Sequence, residues 1–250
     1  MYFGPHGPGT ENLTSLIGHM LIIGISGKLG SGKDYICDHV LKPLLARSGI
    51  CCVAFADPIR LTVASRLGLS IEELARSRKS PAVRKAMQLA GTEEGRMVYG
   101  EDIWIRYLDN YLKLRQARGD YISTVIITDC RFPNEVKWIE DMGGFVLRVE
   151  AADRNMDALS AEGFTGGPQH ISETALDKYA FTYVIDNTIG AEGHVRQQVS
   201  EAVSRYISAH LDKSVYFPSL GLPTLVPLRD RAQRLIGNPE CGQATDMGTS

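Results

Sequence analysis

Leu21-Ile-Ile-Gly-Ile-Ser-Gly27-Lys-Leu-Gly-Ser-Gly-Lys33-Asp34 is the stretch on which the fold turns. The apolar run Leu21–Ser26 ends in a glycine-rich turn, and from Lys33 to about Arg47 apolar residues recur at helical spacing. Strand, turn and helix in that order make the opening βα unit of an α/β domain. Residues 27–33 fit Gly-x-x-x-x-Gly-Lys. Gly27, Gly30, Ser31 and Gly32 would let consecutive backbone N–H groups converge on phosphate oxygens, helped by the positive end of the helix. Lys33 adds a mobile charge that can follow a phosphate during transfer. A plain glycine turn with an exposed lysine is the competing reading, and the strand and helix on either side weigh against it. Asp34 stands where most such loops carry a hydroxyl that ligates Mg²⁺. Its carboxylate either contacts the ion or serves only as an acidic first-turn residue.

The βα alternation continues outward from this unit. Gly49 stops the first helix, Ile50–Ala56 reads as a second strand, and Pro58 suits the first turn of a helix near Ile59–Leu67. Residues 70–118 read as helical, with starts at Ser70-Ile-Glu-Glu73 and Ser80-Pro81. An amphipathic pattern over Glu101–Gln116 uses Ile103, Trp104, Tyr107, Leu108 and Tyr111. Val125–Thr128 is a third strand followed by Asp129, and Pro133–Met142 a helix stopped by Gly143-Gly144. Phe145–Val149 is a fourth strand, Ser172–Lys178 a short helix, Phe181–Ile185 a fifth strand, and Ala191–His210 the last helix. Five short apolar strands alternating with helices predict a parallel sheet covered on both faces.

Composition narrows the class. Of 250 residues, 44% are apolar and 22% charged, and the formal net charge of −2 argues against a non-specific nucleic-acid binder. The run Met20–Ile25 is too short for a membrane span and lacks the flanks of a secretion signal. Five cysteines, none at C-x-x-C spacing, predict reduced thiols in a cytoplasmic setting. Cys51 and Cys52 lie in an apolar run and are expected to be buried as small hydrophobes.

Asp129 ends a strand on the side where ligands gather in doubly wound sheets, so it is a candidate to hold Mg²⁺ or its water shell, with helix capping as the alternative. Arg131, two residues on, could grip an acceptor phosphate bidentately. Asp57 and Arg60 close the second strand where an acceptor would enter, although Arg60 fits a solvated helix position equally. Arg84 is the candidate anion contact within the basic residues of 70–118, which otherwise form a solvated face. The polar segment 151–170 reads either as a lid that brings Arg148 and Arg154 to the transferred phosphate or as an ordinary surface loop.

Several segments in order carry a resemblance. They are Ile25-Ser-Gly … Ser31-Gly-Lys-Asp34, Phe55-Ala-Asp-Pro58, Leu89-Ala-Gly-Thr-Glu93 with Gly95-Arg96, Trp104, Thr128-Asp-Cys-Arg-Phe-Pro-Asn-Glu135, Gly143-Gly144, His170-x-Ser-Glu173 with Leu176-Asp177, and Ile185-Asp-Asn187 with Gly190. Over roughly residues 20–210 the chain resembles the bacteriophage-type deoxynucleoside monophosphate kinases of the P-loop nucleoside monophosphate kinase superfamily. The resemblance implies a three-layer P-loop fold with a helical acceptor-binding insertion at about 70–118 and a lid at about 151–170. It also implies ATP as donor, Mg²⁺, and a deoxynucleoside 5′-monophosphate as acceptor. Carried over by position, Gly30, Gly32, Lys33, Asp34 and Tyr35 would contact ATP, and Asn187 would lie near the adenine or serve as a turn residue. Asp57, Arg131 and Glu135 would face the acceptor, with His170 at the lid hinge. Residues 1–19 and 211–250 fall outside the resemblance, the first expected as a disordered leader and the second as a partly disordered extension.

Animal-type phosphomevalonate kinases also carry Gly-Lys-Asp on this fold, which keeps a second acceptor class open. A kinase of hydroxymethylated pyrimidine in DNA and a non-catalytic nucleotide-binding regulator are further alternatives. No nucleic-acid or membrane partner is expected, and homodimerisation is left open.

Overall fold

The computed structural model describes residues 20–45, 49–77, 80–151, 170–188 and 192–211. Strand β1 (Leu21–Gly27) leads into helix α1, which runs from Lys33 to Leu44 with its middle, Ile36–Leu41, wound as a π-helix. Then come β2 (Ile50–Val53), α2 (Asp57–Leu67), α3 (Ile71–Ser77) and α4 (Pro81–Gln88). Helix α4 runs on through a π-wound stretch, Leu89–Arg96, and a last turn, Met97–Tyr99. Next are α5 (Ile103–Ala117), β3 (Thr124–Cys130), α6 (Pro133–Asp141), β4 (Phe145–Glu150), α7 (Ile171–Thr174), β5 (Tyr183–Asp186) and α8 (Glu192–Leu211).

All pairings in the five-stranded sheet are parallel, in the order β2-β3-β1-β4-β5. The chain fills one side of β1 and later the other, so the crevice at the C-terminal end of β1 is the topological switch point. Alternation along the strands splits the core into two layers. Ile22, Val125, Ile127 and Val146 pack under α2, α4, α5 and α6. Ile23, Ile25, Ile126, Leu147 and Val149 pack under α1 and α8. This is the three-layer P-loop architecture expected from the sequence. Helix α6 lies so close to β1 that a Cβ on Gly24 would come within 2.7 Å of Ile139 Cδ1.

Several boundaries differ from the sequence reading, each for a local reason. Strand β2 stops at Val53 rather than Ala56 because Phe55 and Ala56 donate their N–H groups to the Asp129 carboxylate, not to a neighbouring strand. Strand β3 extends to Cys130, so Asp129 lies inside it. Its register against β1 slips by one residue, Gly24 pairing with Ile127 but Ser26 with Cys130. That bulge lets Cys130 rejoin Val125 and Ile127 in the core and leaves Asp129 outside the regular alternation. The insertion is not one continuous helix. Ser70 and Glu73 exchange a reciprocal capping pair, Ser70 N–H to the Glu73 carboxylate and Glu73 N–H to Ser70 Oγ, as the sequence predicted.

On α5 the buried stripe is Trp104, Ile105, Leu108 and Leu112, whereas Tyr107 and Tyr111 face solvent. Strand β5 begins at Tyr183 instead of Phe181, and the short helix predicted over Ser172–Lys178 is α7, ending at Thr174. Cys51 is buried as expected, but Cys52 is exposed because β2 is an edge strand. Among the described residues no helix is long and apolar enough to cross a membrane. Most of the predicted lid, including Arg154, and both terminal segments lie outside the described residues.

Candidate active site

The turn between β1 and α1 is shaped by its glycines. Gly30 and Gly32 take positive φ of 76° and 89°, and Gly32 caps α1 in the left-handed conformation. At Gly27 a Cβ would sit 2.6 Å from both Ser31 Oγ and the Val149 carbonyl oxygen, so a side chain there would collide with the loop. Ser31 is fully buried, and its carbonyl accepts a 2.8 Å hydrogen bond from Asn187 Nδ2 at the end of β5. Asn187 N–H in turn donates to Glu150 O at 2.7 Å, so the strand beyond β4 braces the loop from behind.

Lys33 folds back over this loop. Its ammonium donates to the Gly27 and Lys28 carbonyls at 2.8 and 2.7 Å. Burial and the nearby Arg131 guanidinium push its pKa down from 10.5 to about 8. Asp34 is exposed in the first turn of α1, and the Tyr35 ring meets His39 at a tilt, with ring centroids 5.0 Å apart.

Beside the loop, a small cleft is lined by Ser26, Gly27, Lys28, Arg131, Arg148 and Glu173, among others. Arg148 Nη1 donates to Ser26 Oγ at 3.2 Å. The cations are met by carboxylates and carbonyls from the chain at and just after α7. Lys28 pairs with Asp177 and donates to the Glu173 carbonyl at 2.6 Å, while Arg131 pairs with Glu173. His170 caps α7, its Nδ1 accepting from Ser172 N–H at 3.2 Å. The cationic side chains at the ends of β1, β3 and β4 therefore converge, and the chain supplies its own anions to them.

Asp129 is buried. Its two oxygens accept the Phe55 and Ala56 N–H groups at 2.7 and 2.9 Å, which anchors the start of α2. Burial raises its pKa, against the pull of Arg60, Arg131 and those two donors. Asp57 accepts from Ala54 N–H at 2.8 Å and pairs with Arg60 at 2.6 Å. Arg84 is half-buried on α4 and is not among the residues that line the cleft.

Sequence reasoning missed Arg96. This residue is 3% exposed, lies 3.9 Å over the Phe132 ring, and forms a buried ion pair with Glu135. Glu135 also accepts the Arg131 and Phe132 N–H groups at 2.7 and 3.1 Å. The Glu135 carboxylate thus holds the backbone from which Arg131 projects, and Arg96 holds Glu135. Burial and the neighbouring Asp129 push the Glu135 pKa up to about 7, opposed by Arg96 and the two N–H donors. Gly95-Arg96 stood among the segments of the resemblance, but nothing local marked it as Glu135's partner. Lys28 and Asp177 were likewise not singled out for the site.

A family model described as phosphomevalonate kinase matches residues 25–144. A putative deoxynucleotide monophosphate kinase of Acanthamoeba polyphaga mimivirus is 26% identical over 147 residues, covering 52% of this chain and 74% of that protein. The deoxynucleoside-5′-monophosphate kinase of Escherichia phage T5 is 29% identical over 121 residues, 46% of this chain, and is spanned over only 43% of its own length. A phosphomevalonate kinase of Drosophila melanogaster is 27% identical over 180 residues, 67% of this chain and 88% of that protein. The relatives' names differ in acceptor but agree on the reaction class, and the family match spans the phosphate loop, Asp129, Arg131 and Glu135. The sheet order and the Gly-Lys-Asp loop are those of the P-loop fold, and the three relatives named above are kinases.

Proposed function

We propose that the protein transfers the γ-phosphoryl group of ATP to the phosphate of a deoxynucleoside 5′-monophosphate, forming a diphosphate. The observation that carries this reading is the convergence of Lys33, Lys28, Arg131 and Arg148 beside the glycine loop at the ends of β1, β3 and β4. The names of the mimivirus and phage relatives support the acceptor. The loop amides of residues 27–33 bind the donor triphosphate, with Tyr35 and Asn187 on the donor side. Arg131, held in place through Glu135, grips the acceptor phosphate, and Asp57 faces the same side. Arg84, Arg148, Arg154 and His170 keep the acceptor-binding and lid roles expected of them. The nucleophile is already an anionic phosphate oxygen, so the protein needs no strong general base. Its task is to align two anions and to spread the charge between them over lysine and arginine.

Among the described residues no three His, Cys, Asp or Glu side chains cluster to hold a metal. Mg²⁺ takes most of its ligands from phosphate and water and needs only one or two carboxylates, which Asp34 and Asp129 would supply. When bound, the ion neutralises charge on the donor phosphates. The reading places the protein in the cytoplasm, or in that of a host if phage-encoded.

A coupled assay of ADP release across the deoxynucleoside monophosphates tests the acceptor, with ribonucleotides and mevalonate phosphate as controls. Turnover is expected with deoxynucleoside monophosphates. Turnover with mevalonate phosphate alone would favour the second reading, which the family model and the Drosophila relative support. ATP binding unaffected by any acceptor would point to a regulator. Arg131→Ala is expected to lower kcat/KM for the acceptor some tens-fold, the equivalent of ~2 kcal/mol for a charge-assisted contact. A loss within about twofold would remove Arg131 from the acceptor site.

Lys33 also sets a pH signature. Its pKa of about 8 is below its ordinary 10.5. The unfolded chain therefore binds this proton more readily between those values, and fold stability gains from Lys33 as pH rises through them. A bound triphosphate favours the ammonium. ATP binding near pH 8 is thus expected to take up protons and to weaken above that pH. Calorimetry in buffers of different ionisation heat reads the uptake, and equal apparent enthalpies at pH 8 would contradict it.

A further inference from the structure

We propose that Cys37 and Cys52 form a redox-modification site, a dithiol that a hydroperoxide closes into an intramolecular disulfide tying α1 to the edge strand β2. Their Sγ atoms lie 3.9 Å apart. Cys37 is buried on the inner side of α1, within its π-wound stretch and four residues beyond Lys33. Cys52 is exposed on β2, which among the described residues pairs only with β3 and lies at the edge of the sheet. Strand alternation explains the selectivity between the two adjacent cysteines: Cys51 points into the core under α2 and α5, and Cys52 to the opposite face, against α1. Closing the bond requires the sulfurs to approach to about 2.05 Å. Turning the exposed Cys52 side chain between staggered rotamers can supply much of that movement.

The electrostatics assign the roles. The hydrogen bond from the Cys37 thiol, with the Lys42 ammonium behind it, holds the Cys52 thiol down at about 7. Lys42 is itself positioned by a 2.5 Å contact to Asp38. The hydrogen bond to Cys52 and burial raise Cys37, and burial raises Cys51 and Cys130. Cys52 is therefore the attacking thiolate and Cys37 the resolving thiol. The Cys52 sulfur attacks one peroxide oxygen, the O–O bond breaks, and the leaving alkoxide or hydroxide takes a proton from water, giving a sulfenic acid. The Cys37 sulfur then attacks the Cys52 sulfur, the S–O bond breaks, and hydroxide leaves with the Cys37 proton as water. Two thiols and one hydroperoxide become one disulfide, one alcohol (or water) and one water. A dithiol reductant reverses the bond by exchange. The site is independent of the acceptor that the kinase uses.

The test treats the fully reduced chain with stoichiometric hydrogen peroxide, quenches with an alkylating reagent in acid, and maps peptides by mass. A Cys37–Cys52 cross-linked peptide that dithiothreitol removes is expected, unchanged in Cys51→Ser and absent in Cys52→Ser. Cys37→Ala is expected to stop at a Cys52 sulfenic acid that dimedone traps. Alkylated Cys37 beside an over-oxidised Cys52 would overturn the proposal, and so would Cys52 bridged to Cys51, to Cys241 or to a second chain.

Discussion

Lys33→Met should lower kcat by about 10²–10³-fold, the range seen when one preorganised donor to developing charge is removed, ~2.7–4 kcal/mol. Methionine keeps an unbranched apolar stem of similar length and loses only the charge. That charge lies over the Gly27 and Lys28 carbonyls, at the mouth of the glycine loop proposed above to hold the donor phosphates. The fold should not suffer. Burial already disfavours this ammonium, holding it near 8, so its removal relieves a desolvation cost and the melting temperature should stay level or rise. Single-turnover kinetics with saturating ATP separates the two effects. A variant that turns over within about fivefold of the parent would dismiss Lys33 as the transferring cation, and with it the donor side of the mechanism.

Arg96→Ala is expected to have its largest effect on stability, about 3–5 kcal/mol, because it strands a buried carboxylate. Glu135 would keep the Arg131 and Phe132 N–H donors but lose the buried guanidinium that pairs with it. The sign of the pH dependence follows from Glu135, whose folded pKa of about 7 lies above its ordinary 4.5. The folded state therefore holds the proton more firmly, and this group's contribution is fully present below the unfolded value and is lost as pH rises through the folded one. Without Arg96 the folded pKa climbs further. Urea titrations should then show a smaller deficit at pH 5.5 than at pH 8, and Glu135→Gln in the same background should recover part of the loss. A deficit independent of pH would mean that the damage comes from lost packing over Phe132 and not from the unpaired charge.

The parts of this molecule legible in the sequence are those written locally. Strand, glycine turn and helix from Leu21 to Leu44 announced the phosphate loop, and Ser70 with Glu73 announced a helix start three residues apart. Asp129 and Arg131 could be placed near the loop because strand ends in a parallel sheet share one edge. What was not legible depends on distance along the chain. Arg96 meets Glu135 39 residues later, Lys28 meets Asp177 after 149, and Asn187 reaches Ser31 across 156. No periodicity or spacing records such pairs. The short second strand belongs to the same class, since the carboxylate that draws Phe55 and Ala56 away lies more than seventy residues downstream.

The arrangement at α7 has a consequence for how tightly any phosphate is held. Glu173 and Asp177 pair with Lys28 and Arg131, so on the proposed reading an incoming anion competes with a tethered one and measured affinity reports the difference. Since both rivals lie within five residues on one short segment, their eviction loosens that segment in the same event. Added salt should then weaken ligand and tether alike, making binding less sensitive to ionic strength than four cations around an empty pocket would imply.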